Sequence, residues 1–477
     1  MSQSLIGTAT KKQELVLAFF LLLITTLLFV LFAQEKLLYY LIGMVVLVVV
    51  AWAQLNIRRW IYLVFIFMPL SPNVNVIQLK LKVSTELDDF VVWFTIIVFL
   101  LNTIVQPKMR RKNDFYLLVP LGLYLMACAF NSILAFYFHQ RLILVASALG
   151  HLFKWASYVF IYFIILRVFS QERDFKNLLK VILVAFGLGA IVTVYRYHQY
   201  SGGAGLYRAG GLMEGLNSYA MILAILLTFY FNLILLGKSK ELFPTWLVLT
   251  LWIIILIALV TTFSRGAWFT LWGCLIAISF LRRRRYIAVI LVAIAMLNFL
   301  FLRGPVERRI RNTFVKQPGS SLPVDLGGRD IIWKSAIRRI GFKYILVGIG
   351  YSNFGQVLMG TTAHNQYLAI LGESGLFGLA AFVFFLFRLT KTQIYLARHH
   401  PLPFFRECAL GNLTGIIALI LASFAGEFFY FPAGMAVFLA FYATSRATFQ
   451  MANEKLLPKQ PLLITSPIAY QYGWHQR

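Results

Sequence analysis

Charge is scarce in this sequence, and acidic charge scarcest of all. Only 13% of its 477 residues are charged, and Asp and Glu together number 17 against 44 Lys and Arg. Soluble domains carry roughly twice that share of charge, so a water-soluble globular protein is excluded. Cysteine is equally sparse. Cys128, Cys274 and Cys408 each fall inside an apolar run, without metal or redox spacing, and they place no constraint on redox chemistry. No soluble domain, heptad pattern or clear internal repeat stands out.

What remains is hydrocarbon. The chain is 60% hydrophobic, and its apolar runs are continuous rather than alternating. Inside lipid only helices or closed barrels satisfy their backbone, and long continuous runs indicate helices. At about 20 residues per span, the expectation is an all-α polytopic membrane protein with about 12–14 transmembrane helices. The first run, Leu15 to Phe32, lacks a small-residue cleavage site and reads as a retained span. A second follows from Leu37 to Gln54, and later spans are expected to begin near Phe115, Phe153, Val181 and Ser218.

Basic residues recur in every second loop: Arg58 and Arg59, Arg110 to Lys112, Arg167 to Lys180, Lys238 and Lys240, Arg282 to Arg285, and Arg388 to Arg406. This alternation predicts that those loops and both termini are cytoplasmic. The sequence divides into a bundle over 1–303, an outer basic loop over 304–364, further spans over 365–450 and a tail over 451–477.

The outer loops contain exceptions to that rule. Ten Lys and Arg residues between Arg303 and Lys343 face only Glu307, Asp325 and Asp330. Adhesion to anionic headgroups is one explanation; an anionic ligand is the other. Within this loop RDIIWKSAIRRIGFKY sets Ile332, Ala336 and Ile340 at helical spacing, with Arg329, Lys334, Arg338 and Arg339 projecting elsewhere. It reads as an amphipathic helix along the membrane–water boundary.

Arg208 lies between two glycine pairs and is either a solvated loop charge or an anion ligand. Arg265, in the tight turn TTFSRGAW, is an arginine close to hydrocarbon. It either snorkels to the boundary or marks a functional site. His364 opens a new apolar helix, as a boundary residue or as a proton acceptor near neutral pH. Glu373, further along that helix, calls for a partner, for which a basic residue is the expectation, and Glu427 in the last outer turn resembles it. Glu86, Asp88 and Asp89 cluster at an outer helix start, either as a favourable helix-dipole boundary or as a metal site.

Five segments, RAGGLMEGLNSYA, TTFSRGAW, GRDIIWKSAIRR, GIGYSNFG and AHNQYLAILGESGLFGL, follow one another in an order that resembles the O-antigen ligase and polysaccharide polymerase family of bacterial inner membranes. Each is weak alone, and MEGLNSYA departs from the Asn-Pro-Asn-like turn found in many members. The resemblance runs from Arg208 to the final hairpin. It implies a bundle related to the GT-C glycosyltransferases with one large periplasmic loop. It implies metal-independent, inverting glycosyl transfer without a cofactor. The donor would be a glycan on undecaprenyl diphosphate, and the acceptor a sugar hydroxyl of lipid A-core or of a lipid-linked saccharide. Membrane lipids would be partners and nucleic acid would not.

On that reading Arg208 and Arg265 clamp the diphosphate with Arg329 and Arg338 in support, His364 takes the acceptor's proton, and Asn217 and Asn365 contact substrate. Two other classes compete. A flippase or exporter needs polar groups spread through its bundle, and a scaffold in an export complex needs no chemistry.

Overall fold

The computed structural model describes residues 56–71, 86–105, 115–139, 142–200, 207–213, 215–282 and 329–456. The spans expected before residue 55, residues 283–328 with the basic loop up to Arg329, and the tail after residue 456 lie outside the described residues.

Every element among them is a helix. In chain order they are α1 (Ile57–Phe67), α2 (Leu87–Val105), α3 (Phe115–His139), α4 (Leu142–Val168), α5 (Glu172–Tyr200) and α6 (Leu216–Leu235). The second half holds α7 (Thr245–Thr261), α8 (Arg265–Arg282), α9 (Arg329–Ile345), α10 (Gln366–His399), α11 (Pro403–Ala425) and α12 (Pro432–Leu456). Seven of them, α2 to α6, α10 and α11, are long and apolar enough to cross a membrane. The chain is an all-α polytopic membrane protein.

The central helix is α6, 20 residues long and buried on nearly every side. In lipid the hydrophobic effect does not drive helices together, so close van der Waals packing must. Small residues supply it: a Cβ at Gly411 would fall 2.9 Å from the Phe229 ring, and one at Gly273 only 2.5 Å from Leu421. Phe229 in α6 stacks on Phe441 in α12, with centroids 4.0 Å apart. Beside them Asn412 donates to the Phe441 carbonyl at 2.6 Å.

The helix ends separate by charge. One end carries Arg58 against Asp174 at 3.5 Å, Lys176 against Glu241 at 2.7 Å, and Arg282 against Glu407. The other end gathers the starts of α2, α6, α8, α10 and α12 with the ends of α5, α7 and α11.

At that second end α10 is broken. Gly375 has φ 62°, and the carbonyls of Gly372 and Glu373 leave the helical ladder to accept from Ile349 and Gly350 at 3.0 and 2.9 Å. Asn131 of α3 donates to the next carbonyl, Ser374, at 2.7 Å. The crossing is glycine on glycine. A Cβ at Gly375 would meet the Leu346 carbonyl oxygen at 2.1 Å, and one at Gly348, φ 75°, the Glu373 oxygen at 2.3 Å. GIGYSNFG and GESG are therefore two sides of one backbone contact. Glu373 is buried there, and the partner found for it is a backbone amide, that of Phe354 at 3.0 Å, rather than a basic side chain.

Two expectations need revision. The helix expected from Phe153 starts at Leu142, so Lys154 lies inside it rather than beside its start. Its ammonium lies 2.9 Å from the buried Asp89 carboxylate. The amphipathic α9 does form, but Ala336 and Ile340 are buried against Ile349, Phe354, Leu358 and Ala369 of the protein itself.

Candidate active site

The turn TTFSRG closes the gap between α7 and α8 by forcing Phe263 to φ 51°. A bulky residue in the left-handed region stores strain that its surroundings must hold. Here Phe263 is wedged against Tyr197 and Trp268. The turn presents the Thr262 carbonyl and the Ser264 hydroxyl to the loop before α6.

Arg208 occupies that place. Its Nε donates to the Thr262 carbonyl at 3.1 Å, and its terminal nitrogen donates to Asn217 Oδ1 at 2.8 Å. Ser264 donates to the same Asn217 oxygen at 3.2 Å. One amide oxygen on the first turn of α6 thus ties Arg208 to the turn that carries Arg265. Ser264 has no separate place in the sequence reading. Its signal was its position immediately before the arginine of the SRG turn.

Arg265 is the first residue of α8 and partly exposed. The next residue, Gly266, packs so tightly that a Cβ would fall 2.8 Å from Ala425 and 3.0 Å from Met221. The start of α8 is therefore pressed against the end of α11, two residues before Glu427.

Glu427 carries the connection onward. Its Oε1 accepts from the His364 backbone amide at 3.1 Å, and the Ala363 amide bonds to the same carboxyl. Its turn is fixed from below, since Trp155 donates to the Phe429 carbonyl at 2.6 Å and the Phe429 amide donates to Gln366 at 2.9 Å. Burial pushes the Glu427 carboxyl up to about 7, with the two amide bonds acting against that shift.

His364 sits in the left-handed region at φ 49°, half-buried, with Thr362 Oγ1 3.3 Å from its ring nitrogens. Burial holds its imidazole below the usual 6.5, and the positive charge of Arg329 adds to the effect. Arg329 opens α9, whose Trp333 donates to the Ala363 carbonyl at 3.0 Å. A neutral imidazole is thereby favoured at neutral pH, the form that accepts a proton.

Two further candidates have different surroundings. Arg338 is exposed and lies nine residues from Arg329, two and a half helical turns, on the opposite face of α9. Asn365 caps α10, its side chain accepting from the Leu368 amide at 3.1 Å. Among the described residues no three His, Cys, Asp or Glu side chains are placed to hold a metal ion.

Arg208, Asn217 and Ser264 are thus joined by hydrogen bonds, His364 is joined to Glu427, and both groups lie at the same end of the bundle, where the starts of α8 and α10 meet the end of α11. A family model described as O-antigen ligase matches residues 249–383. Over those residues the chain is similar to the O-antigen ligase family. They run from within α7 to the middle of α10, so Arg265, Arg329 and His364 lie inside the O-antigen ligase match, whereas Arg208 and Asn217 precede it and Glu427 follows it. A search of curated proteins gave no match to the chain. The O-antigen ligase match supports a membrane glycosyltransferase of the ligase or polymerase type.

Proposed function

We propose that this protein is an O-antigen ligase-type glycosyltransferase related to the GT-C membrane enzymes. It works at the periplasmic face of a bacterial inner membrane, with both termini cytoplasmic. It moves a glycan from undecaprenyl diphosphate to a sugar hydroxyl of lipid A-core, with inversion and without a metal. The observation that supports this reading is that Arg208, held by Asn217, and Arg265, at the start of α8, lie at the same end of the bundle as a histidine held by Glu427.

The chemistry follows from those groups. The acceptor oxygen attacks the anomeric carbon from the side opposite the diphosphate. His364 removes the hydroxyl proton as the new C–O bond forms, a contribution of about 10²–10⁴-fold. The old C–O bond breaks and its electron pair leaves on undecaprenyl diphosphate. Arg208 and Arg265, with Arg329 in support, stabilise that developing charge in a water-poor site, as a metal ion does elsewhere. Asn217 holds the Arg208 guanidinium in place, so that its reorientation is not required during the reaction.

Purified protein reconstituted with lipid-linked glycan and lipid A-core tests the proposal. Covalent transfer is expected in the wild type, and it should fall by at least about 10²-fold in His364→Ala and Arg265→Ala. Unchanged rates in both variants would remove the assignment. A product lengthened on the lipid carrier, rather than attached to lipid A-core, would make the enzyme a polymerase.

A further inference from the structure

Toward the end of the bundle that carries the ion pairs, helix packing leaves a gap. A groove of about 380 Å³ runs between α2, the first half of α3 and the second half of α4. Its α3 wall is one stripe at helical spacing, Leu118, Leu121, Gly122 and Leu125. Its α4 wall is another, Ala156, Val159, Phe160 and Phe163. Phe99 of α2, Leu121 and Val159 are buried, whereas Leu118, Gly122, Leu125, Ala156 and Phe163 keep part of their surface open.

The gap follows from residue size. Inside lipid, small residues normally bring helices into close contact, as Gly273 and Gly411 do here. Gly122 does not. A Cβ there would meet no described atom within 4 Å, against 2.5 and 2.9 Å at Gly273 and Gly411. Gly122 and Ala156 each add little volume to their wall, so the space between the stripes stays open to an apolar occupant.

Length and charge specify that occupant. From Ala156 to Arg167 the α4 wall rises about 16 Å, close to half of the roughly 30 Å hydrocarbon core. That is the reach of a lipid chain confined to one leaflet. Among the residues that line the groove Arg167 alone is charged; it stands in the last turn of α4 and is partly exposed. Ser170, three residues further on, accepts from Arg58 at 3.0 Å, which sets Arg167 at the end that holds the Arg58–Asp174 pair. A basic group beside an apolar cleft between spans suits an anionic headgroup.

We propose that this groove binds one anionic glycerophospholipid, from the leaflet remote from the candidate active site. One acyl chain lies along Gly122 and Ala156, and the phosphate meets the Arg167 guanidinium. The transferase reading is not required, because its lipid diphosphate would keep its head at the other end of the bundle.

The test is native mass spectrometry of the delipidated full-length protein, titrated with phosphatidylglycerol and with phosphatidylethanolamine of the same palmitoyl and oleoyl chains. The first phosphatidylglycerol should bind about fivefold more tightly, or better, as one basic residue near an anionic headgroup provides. Arg167→Gln should bring the two lipids to equal affinity. Gly122→Leu, whose side chain enters open space, should weaken the first phosphatidylglycerol by about fivefold or more. Ala156→Leu makes the same test from α4 if Gly122→Leu does not fold. Equal affinities in the wild type, or undiminished binding in the filled variants, would reduce the groove to ordinary boundary lipid and overturn the site. Undecaprenyl phosphate that displaces phosphatidylglycerol one for one, and fails to bind Gly122→Leu, would give the groove to an isoprenoid tail and overturn the phospholipid.

Discussion

Glu427 and His364 are 63 residues apart in sequence, yet the carboxylate of one accepts the backbone amide of the other at 3.1 Å. That bond holds a histidine in a backbone conformation that few side chains adopt, so Glu427 is a positioning residue. Glu427→Ala leaves the Ala363 and His364 amides without their acceptor, at roughly 1–3 kcal/mol each. The expected outcome is a lowered unfolding midpoint and a fall in kcat larger than any rise in KM. Steady-state kinetics with a folded control would expose the opposite pattern.

The same carboxyl links stability to pH. Its folded-state pKa is raised from 4.5 to about 7 by burial. The stabilisation tied to its protonated form is therefore fully present below pH 4.5 and is lost as pH rises through 7. Glu427→Gln should flatten that part of the profile. A thermal-unfolding series across pH 4 to 8 on both proteins decides it, and identical slopes would contradict the argument.

Arg329 sets the working range of His364. Burial and the arginine's charge both hold the imidazole below its usual 6.5, so activity should fall only when pH drops below that value. Arg329→Gln removes one of the two causes, and the acid limb of kcat/KM should move to higher pH. A limb that stays where it is would separate Arg329 from His364.

Asn217 offers a charge test at constant size. Its Oδ1 serves both Arg208 and Ser264. Asn217→Asp keeps an acceptor for both donors but neutralises the arginine. The fold should persist while donor KM rises and kcat falls, by about 10²-fold or more in the ratio. Asn217→Ala should lose the Arg208 tether instead, and an Asp variant with wild-type kinetics would argue against an anion at Arg208.

Gly375→Ala should be among the most damaging substitutions in the chain. Its Cβ would lie 2.1 Å from the Leu346 carbonyl oxygen, on backbone that already has positive φ. Strain of roughly 1–3 kcal/mol from the dihedral adds to a comparable overpacking cost. The expected result is aggregation or a lost monodisperse peak in size-exclusion chromatography.

Much of the architecture was legible because apolar runs and basic loops are local signals. The start of α8 at Arg265 and the buried stripe of Ala336 and Ile340 both follow from short-range pattern. Long-range pairing was not legible. The helix start at Leu142 escapes a reading that begins the span at Phe153, because the charge of Lys154 inside it is met by Asp89, 65 positions earlier. Glu373 calls for a cation until the chain doubles back and offers it the Phe354 amide. Sequence named Arg208, His364 and Asn217 as candidates and Glu427 as an acid in need of a partner, but not the bonds that tie Asn217 to Arg208 and Glu427 to His364, because those exist only once the helix ends converge.

The glycine crossing between residues 348 and 375 has one more consequence. With only hydrogen atoms between two backbones, the segment leading to His364 is fastened to the very helix it goes on to form. Displacement at one will be felt at the other, so a fluorophore or crosslinker placed near residue 348 would report on the bend of α10 rather than on an independently hinged flap.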